Sequence, residues 1–350
     1  KNLNFVKDPV FKKILTILNK KKLNLSEMKE IQKVIHVNNL SSHMLIMAKK
    51  KIMKKLNVAI AGFGVVGKKR YEILKKVKDV NLVAISDINR NNIPKDKKIK
   101  FFLDYRKLFT FKLDAIFISL PNKIAAEATI VSLKKNINVF CEKPPARNYK
   151  DFIKIYNVYK TKKKLKIKYG FNHRYHDSII IAKNAIQKKR YGKLINVRGL
   201  YGKSKIINFK GQWRSSKSLA GGGILLDQGI HLLDILIFFC GDFLTVKSFI
   251  SNKFWSFKVE DNAYSLIKFK NNVIAMIHST ATQWQHKFRV EIIMEKGQIN
   301  LNGILSGSKS YGDEKIEIIP KFTKKNQKGR LVSFKKDLSW DRETKEFINA

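Results

Sequence analysis

Two stretches of this chain carry side chains able to do acid–base chemistry. The first is Gly221-Gly222-Gly223-Ile224-Leu225-Leu226-Asp227-Gln228-Gly229-Ile230-His231, continuing to Asp234. On an α-helix Asp227 and His231 lie about 40° apart around the axis and share a face, with Asp234 near it one turn on. The surrounding helix is apolar almost all round, so it is expected to be buried, and a buried Asp and His need partners. They read either as a satisfied pair inside a core or as working groups; for a metal pair, no third or fourth ligand is evident. The second stretch is Glu142-Lys143-Pro144-Pro145. A lysine between an acid and two prolines has little backbone freedom; it is aimed at a ligand or is a solvated loop lysine. Two polar–aromatic clusters, Asn172-His173-Arg174-Tyr175-His176 and Gln212-Trp213-Arg214, suit a hydroxyl-rich or anionic ligand, or are ordinary loop.

Such groups need a frame, and the stretch Asn57–Gly67 supplies its starting point. Val58–Ala61 read as a buried parallel strand. Gly62, Phe63, Gly64, Val65, Val66 and Gly67 then give the G-x-G-x-x-G spacing, and Tyr71, Ile73, Leu74 and Val77 fall at helical spacing over Lys68–Val77. Strand, glycine turn and helix in that order are the context of a dinucleotide site, with the pyrophosphate on the helix N-terminus; a tight turn without ligand has the same spacing. Asp87 follows Gly62 by 25 residues, close to where the acid that holds the adenosine ribose belongs. That carboxylate favours NAD and leaves NADP open, since Arg90 stands three residues on.

From Leu56 strand and helix alternate. Strands are expected at Val80–Ser86, Asp114–Leu120, Asn138–Cys141 and Lys166–Phe171, and helices at Lys123–Lys135 and Asn148–Lys162. This is the pattern of an α/β fold with a doubly wound parallel sheet. Ligands bind beyond the carboxyl ends of such strands, where Gly62–Gly67, Asp87, Pro121, Asn122, Glu142 and Lys143 lie. After residue 172 the pattern changes to α+β: helices at Ser178–Lys188 and Gly223–Phe239, a strand at Leu194–Tyr201, and extended segments at Leu244–Ile250, Asn262–Phe269, Val273–Thr282, Phe288–Glu295 and Gln298–Leu301, expected as a mainly antiparallel sheet. The expected organisation is 1–54 an N-terminal extension without assigned role, 55–171 a cofactor domain and 172–350 a substrate domain. Two short amphipathic helices are expected in the extension, at Pro9–Asn19 and Ser26–Val37, and Met53 stands where such a protein could begin. A helix starts near Glu343 and reads as incomplete at Ala350.

Composition narrows the partners. The net charge of +45 invites nucleic acid, but lysine is spread along the whole chain, with no Arg-rich tract or nucleic-acid motif. No specific nucleic-acid partner is expected; a positive field can still attract anionic substrates. Two isolated cysteines, Cys141 and Cys240, indicate neither a disulfide framework nor a zinc site and fit a reducing cytoplasm. The N-terminus lacks a signal-peptide pattern, and the apolar run Ile224–Cys240, interrupted by Asp227, Gln228, His231 and Asp234, reads as a buried helix with no membrane partner.

The ordered set Ala61–Gly67, Ser119-Leu120-Pro121-Asn122, Glu142-Lys143-Pro144, Gly170-Phe171-Asn172-His173-Arg174 and Gly221-Gly222-Gly223…Asp227…His231 resembles the glucose–fructose oxidoreductase/inositol dehydrogenase (Gfo/Idh/MocA) family from about Lys54 onward. The resemblance implies a Rossmann domain followed by an α/β domain with a large open sheet often used for homo-oligomerisation, and places the family's catalytic Lys, Asp and His on Lys143, Asp227 and His231. It implies an NAD(P)-dependent dehydrogenase acting on a secondary hydroxyl of a sugar, sugar nucleotide or cyclitol, with Arg174, Tyr175, Trp213, Arg214, Asp227 and His231 toward the substrate. A glycosidase using transient oxidation and a non-catalytic cofactor-binding regulator are the alternatives. Two departures stand out: many members carry a His three residues after the Pro-Asn, where this chain has Ala125, and the family's last helix is absent or cut short. The stretch Trp213–His231 and the Val259–Ala263 region are most similar to members associated with bacterial surface-polysaccharide synthesis.

Overall fold

A run of small and β-branched residues with no polar member belongs between two covering layers. Val58–Ala61 are fully buried, inside β1 (Leu56–Ala61), in a computed structural model that describes residues 55–94, 96–203, 213–255, 257–307, 310–321 and 329–350. The extension 1–54 lies outside the described residues. β1 is central in a six-stranded sheet with β2 (Val80–Ser86), β3 (Lys100–Phe102), β4 (Ala115–Ile118), β5 (Asn138–Cys141) and β6 (Ile167–Tyr169), in the order β3-β2-β1-β4-β5-β6. Strands β1, β4, β5 and β6 pair in parallel, as do β2 and β3. The connecting helices are α1 (Val65–Leu74), α2 (Asn122–Lys134) and α3 (Tyr149–Lys160). Helix α1 starts three residues earlier than the sequence pattern placed it, because the glycine loop itself forms the first turn.

Alternation of apolar and polar residues builds the second sheet, of eight strands: β7 (Leu194–Gly202), β8 (Phe243–Ser251), β9 (Asn262–Phe269), β10 (Ile274–Thr280), β11 (Lys287–Met294), β12 (Gly297–Asn302), β13 (Glu314–Pro320) and β14 (Arg330–Phe334), ordered β14-β13-β12-β11-β7-β10-β9-β8. All pairings are antiparallel except β7 with β10. Strands β13 and β14 were not expected, although Ile316 and Ile318 alternate with charged residues. One face packs Val197, Ile267, Ile277 and Ile292 against Ile179 of α4 (Asp177–Gln187) and Leu232, Ile235 and Phe239 of α5 (Ile230–Cys240). The helix expected over Gly223–Phe239 is broken into the π-helical segment Leu225–Gly229 followed by α5. By length and composition the run Lys217–Cys240 could cross a membrane, but 56% of its apolar window is buried inside the protein.

Helix α6 (Ser339–Ile348) starts earlier than Glu343 and packs on the first sheet, with the Phe347 ring edge-on to Phe117 and Phe140, both at 5.5 Å. Arg70 of α1 is fully buried beneath it. Its guanidinium bonds Glu343 at 2.6 Å, Thr344 at 3.0 Å and Glu142 at 2.9 Å, and lies between the rings of Phe140 and Trp340.

Candidate active site

The glycine loop is shaped by backbone crowding. Gly62 has φ +90°, and a Cβ there would lie 2.3 Å from the Ser119 carbonyl oxygen; a Cβ on Gly67 would lie 2.0 Å from the Gly62 oxygen. Both positions therefore require glycine. Gly64 instead faces open space and caps α1 without any side-chain bond or first-turn acid. An uncapped helix N-terminus opening on a cleft fits a pyrophosphate. Asp87, at the end of β2, accepts the Phe63 N–H at 2.7 Å and the Asn89 N–H at 2.9 Å. Gly62, Phe63 and Asp87 thus form the back of the loop, while Gly64, Val65, Val66 and Gly67 line the cleft.

That cleft, of about 550 Å³, runs from the carboxyl ends of β1, β4 and β5 to the π-helical segment and the end of β7. It collects Pro121, Glu142, Lys143, Trp213, Arg214, Asp227 and His231 of the expected site residues. Asn122 lies to one side, donating to the Ala220 carbonyl at 2.8 Å and lining a smaller adjoining pocket. Arg174 and Tyr175 are not brought to the cleft. Arg174 makes a two-pronged pair with Asp234, at 2.6 and 2.7 Å, and the Tyr175 hydroxyl donates to Glu346. From that cluster it is Asn172 and His173 that line the cleft. Tyr201, Lys203 and Trp340 also line it and were not singled out from sequence. Lys203 directly follows β7, and its position after a strand's end was its only signal in a lysine-rich chain.

Asp227 and His231 both face the cleft without a hydrogen bond between them among the described residues. Asp227 sits instead among cations: Lys143 Nζ is 3.6 Å and Arg214 Nε 3.8 Å from Oδ1, and Lys203 Nζ is 3.2 Å from Oδ2. Lys143 also donates to the Asp227 carbonyl oxygen. Burial alone would raise the Asp227 carboxyl, but Lys203, Lys143 and Arg214 outweigh it and hold the group well below the carboxylate range. The Lys143 ammonium is lowered by burial and by repulsion from Lys203 and Arg214, against the attraction of Asp227. The His231 ring stacks on His173, with centroids 3.8 Å apart and planes at 16°. Burial first, then Lys143 and His176, push the His231 imidazole well below its ordinary value, so it is neutral at pH 7. Its Nδ1 has no partner among the described residues. Among the described residues no group of three or more His, Cys, Asp or Glu side chains is placed to hold a metal ion.

A parallel sheet with a glycine turn and a mainly antiparallel sheet thus contribute to one cleft that holds Lys143, Asp227 and His231, an arrangement suited to a dinucleotide-dependent oxidoreductase. Residues 56–171 match the oxidoreductase family with NAD-binding Rossmann fold, and residues 179–300 match the GFO/IDH/MocA C-terminal domain. The chain belongs to this GFO/IDH/MocA family of NAD-binding oxidoreductases. It is 30% identical to levoglucosan dehydrogenase of Pseudarthrobacter phenanthrenivorans over 141 residues, 40% of this chain and 36% of that one. It is 24% identical to myo-inositol 2-dehydrogenase of Thermotoga maritima over 275 residues, 74% of this chain and 79% of that one. The chain spans about half the length of two further curated relatives it matches. The structure of levoglucosan dehydrogenase in complex with NADH superimposes with a TM-score of 0.73 at 20% identity, over 85% of this chain and 90% of that one, a likeness of fold.

Proposed function

We propose that this protein is an NAD-dependent dehydrogenase that interconverts a secondary hydroxyl and a ketone on a sugar or cyclitol, with residues 55–171 holding the cofactor and 172–350 the substrate. The observation that carries this reading is the convergence of Lys143, Asp227 and neutral His231 on a cleft that opens onto the uncapped start of α1. Gly64–Gly67 would hold the pyrophosphate, Asp87 the adenosine ribose, and Pro121, Glu142 and Lys143 border the nicotinamide end. When bound, NAD supplies the acceptor for a hydride. His231 takes the hydroxyl proton, a role its neutral state permits. Lys143 donates to the same oxygen and stabilises the negative charge that grows on it. Asp227 keeps Lys143 in place and balances part of its charge.

The relatives named for levoglucosan and myo-inositol support a polyhydroxylated substrate. The likeness to surface-polysaccharide members adds sugar nucleotides to the candidates. A glycosidase using the same groups would return the hydride and leave no net NADH. Incubation with NAD and a panel of cyclitols, sugars, glycosides and sugar nucleotides separates these readings: NADH accumulation supports the dehydrogenase, and glycoside cleavage without NADH contradicts it. We place the protein in the cytoplasm, where two buried free thiols persist. We further infer a homo-oligomer formed through the open face of the second sheet.

A further inference from the structure

The charges in the cleft do not balance. Among the described residues lining it and the adjoining pocket, the only acids are Glu142 and Asp227. Glu142 is committed to Arg70, at 2.7 Å. Asp227 is therefore the one counter-charge shared by Lys143, Lys203 and Arg214, a formal excess of two positive charges among the described residues. Lys203 is only 6% exposed, and a buried ammonium needs more than a shared carboxylate. Arg214 stacks on Trp213 at 4.4 Å and, beside its 3.8 Å approach to Asp227, makes no hydrogen bond among the described residues; a planar fork at the cleft suits a phosphate or carboxylate. Glu260, near the same pocket, is used up accepting the N–H groups of Gly223 and Leu225. The sequence from Lys203 to Leu226 contains five basic residues and no acid.

We propose that the substrate is an anionic sugar or cyclitol, carrying a phosphate or carboxylate that Lys203 and Arg214 bind beside the reacting hydroxyl. The inference rests on the dehydrogenase reading for the position of that hydroxyl, but the charge assignment can be tested by binding alone. The bound anion also offsets the repulsion that Lys203 and Arg214 exert on Lys143.

The test measures dissociation constants by calorimetry, with and without NADH, for glucose, glucose 6-phosphate, glucose 1-phosphate and glucuronate. At least one anionic compound is expected to bind about tenfold or more tightly than glucose, the increment of one charged hydrogen bond. Glucuronate against the phosphates tells which anion fits. The margin is expected to vanish in Arg214→Gln and to reverse in Arg214→Glu. Arg214 is partly exposed, so these variants fold even if changes at buried Lys203 do not. Glucose binding as tightly as all three anions, or a preference unchanged in both variants, overturns the proposal. Turnover with NAD is read separately: anion preference without NADH formation sinks the dehydrogenase reading and supports the charge assignment, and turnover of neutral sugars without preference does the reverse.

Discussion

His231 and Lys143 carry the proposed chemistry, and their surroundings set its pH range. A histidine titrating near its usual 6.5 would lose base function through the physiological range. Here burial, with Lys143, His176 and Lys203 nearby, keeps the imidazole deprotonated to lower pH. In the oxidative direction kcat/KM is therefore expected to stay level as pH falls through 6.5 and to drop only below it. On the alkaline side, the lowered ammonium of Lys143 brings a decline before its ordinary 10.5. A pH–rate profile on a confirmed substrate checks both limbs, and an acid limb centred at or above 6.5 would count against His231 as the base. These residues were legible in sequence because Glu142-Lys143-Pro144 and Asp227…His231 are local patterns. Their partners were not: Lys203 reaches Asp227 across 24 residues, and Arg174 could not be seen to be taken by Asp234, 60 residues on.

At the scale of elements, α6 is locked to α1 and β5 through one guanidinium. Arg70 serves two carboxylates, Glu142 and Glu343, so one proton in the cluster is expected. Burial, reinforced by Glu142 and opposed by Arg70, pushes Glu343 up to about 7, and its Oε1 has no partner among the described residues. Unfolded, the same group titrates near 4.5. The folded state thus holds a proton that the unfolded chain has lost, so this contribution to stability is full below about pH 4.5 and fades as pH rises through about 7. Buried, neutral His173 and His231 act with the opposite sign, so the comparison isolates the carboxyl. Thermal unfolding followed across that window should show Glu343→Gln gaining on the wild type as pH rises; parallel curves would contradict the assignment. Strands β1, β2, β4, β5 and β6 followed from sequence as mostly apolar runs between turns, whereas β3 (Lys100–Phe102), three residues long and opening on a lysine, was not expected. The contacts of α6 did not, because Arg70 and Glu343 are separated by 273 residues. The π-helical segment likewise left no mark, since Gly229 and its neighbours fit an ordinary helix pattern as well.

At the scale of the molecule, one face of the second sheet is covered by α4 and α5, and the other is uncovered among the described residues. Across the open face Phe249, Tyr264, His278 and Leu200 stand in one row, and Leu266, Met276 and Arg198 in the next. Tyr264 and Leu266 of β9 and Ile274 and Met276 of β10 are each about half exposed, with Phe249 and Lys247 of β8 beside them, a largely apolar patch of the kind that pairs with a copy of itself. Sedimentation analysis should find a dimer or larger, and Leu266→Lys with Met276→Lys should shift it toward monomer while the protein stays folded. A wild-type monomer at all practical concentrations would refute this interface. The central claim is hydride removal from a substrate carbon at the cleft shared by Lys143 and His231. It is tested most directly by supplying a turned-over sugar deuterated at the reacting carbon and following the label. Deuterium should appear in NADH with the wild type, about 10²- to 10⁴-fold more slowly with His231→Ala, whose NAD affinity is retained, and comparably slowly with Lys143→Ala. Label appearing in NADH at near-normal rates in both variants, or ketone forming with no label in the cofactor, would contradict the account.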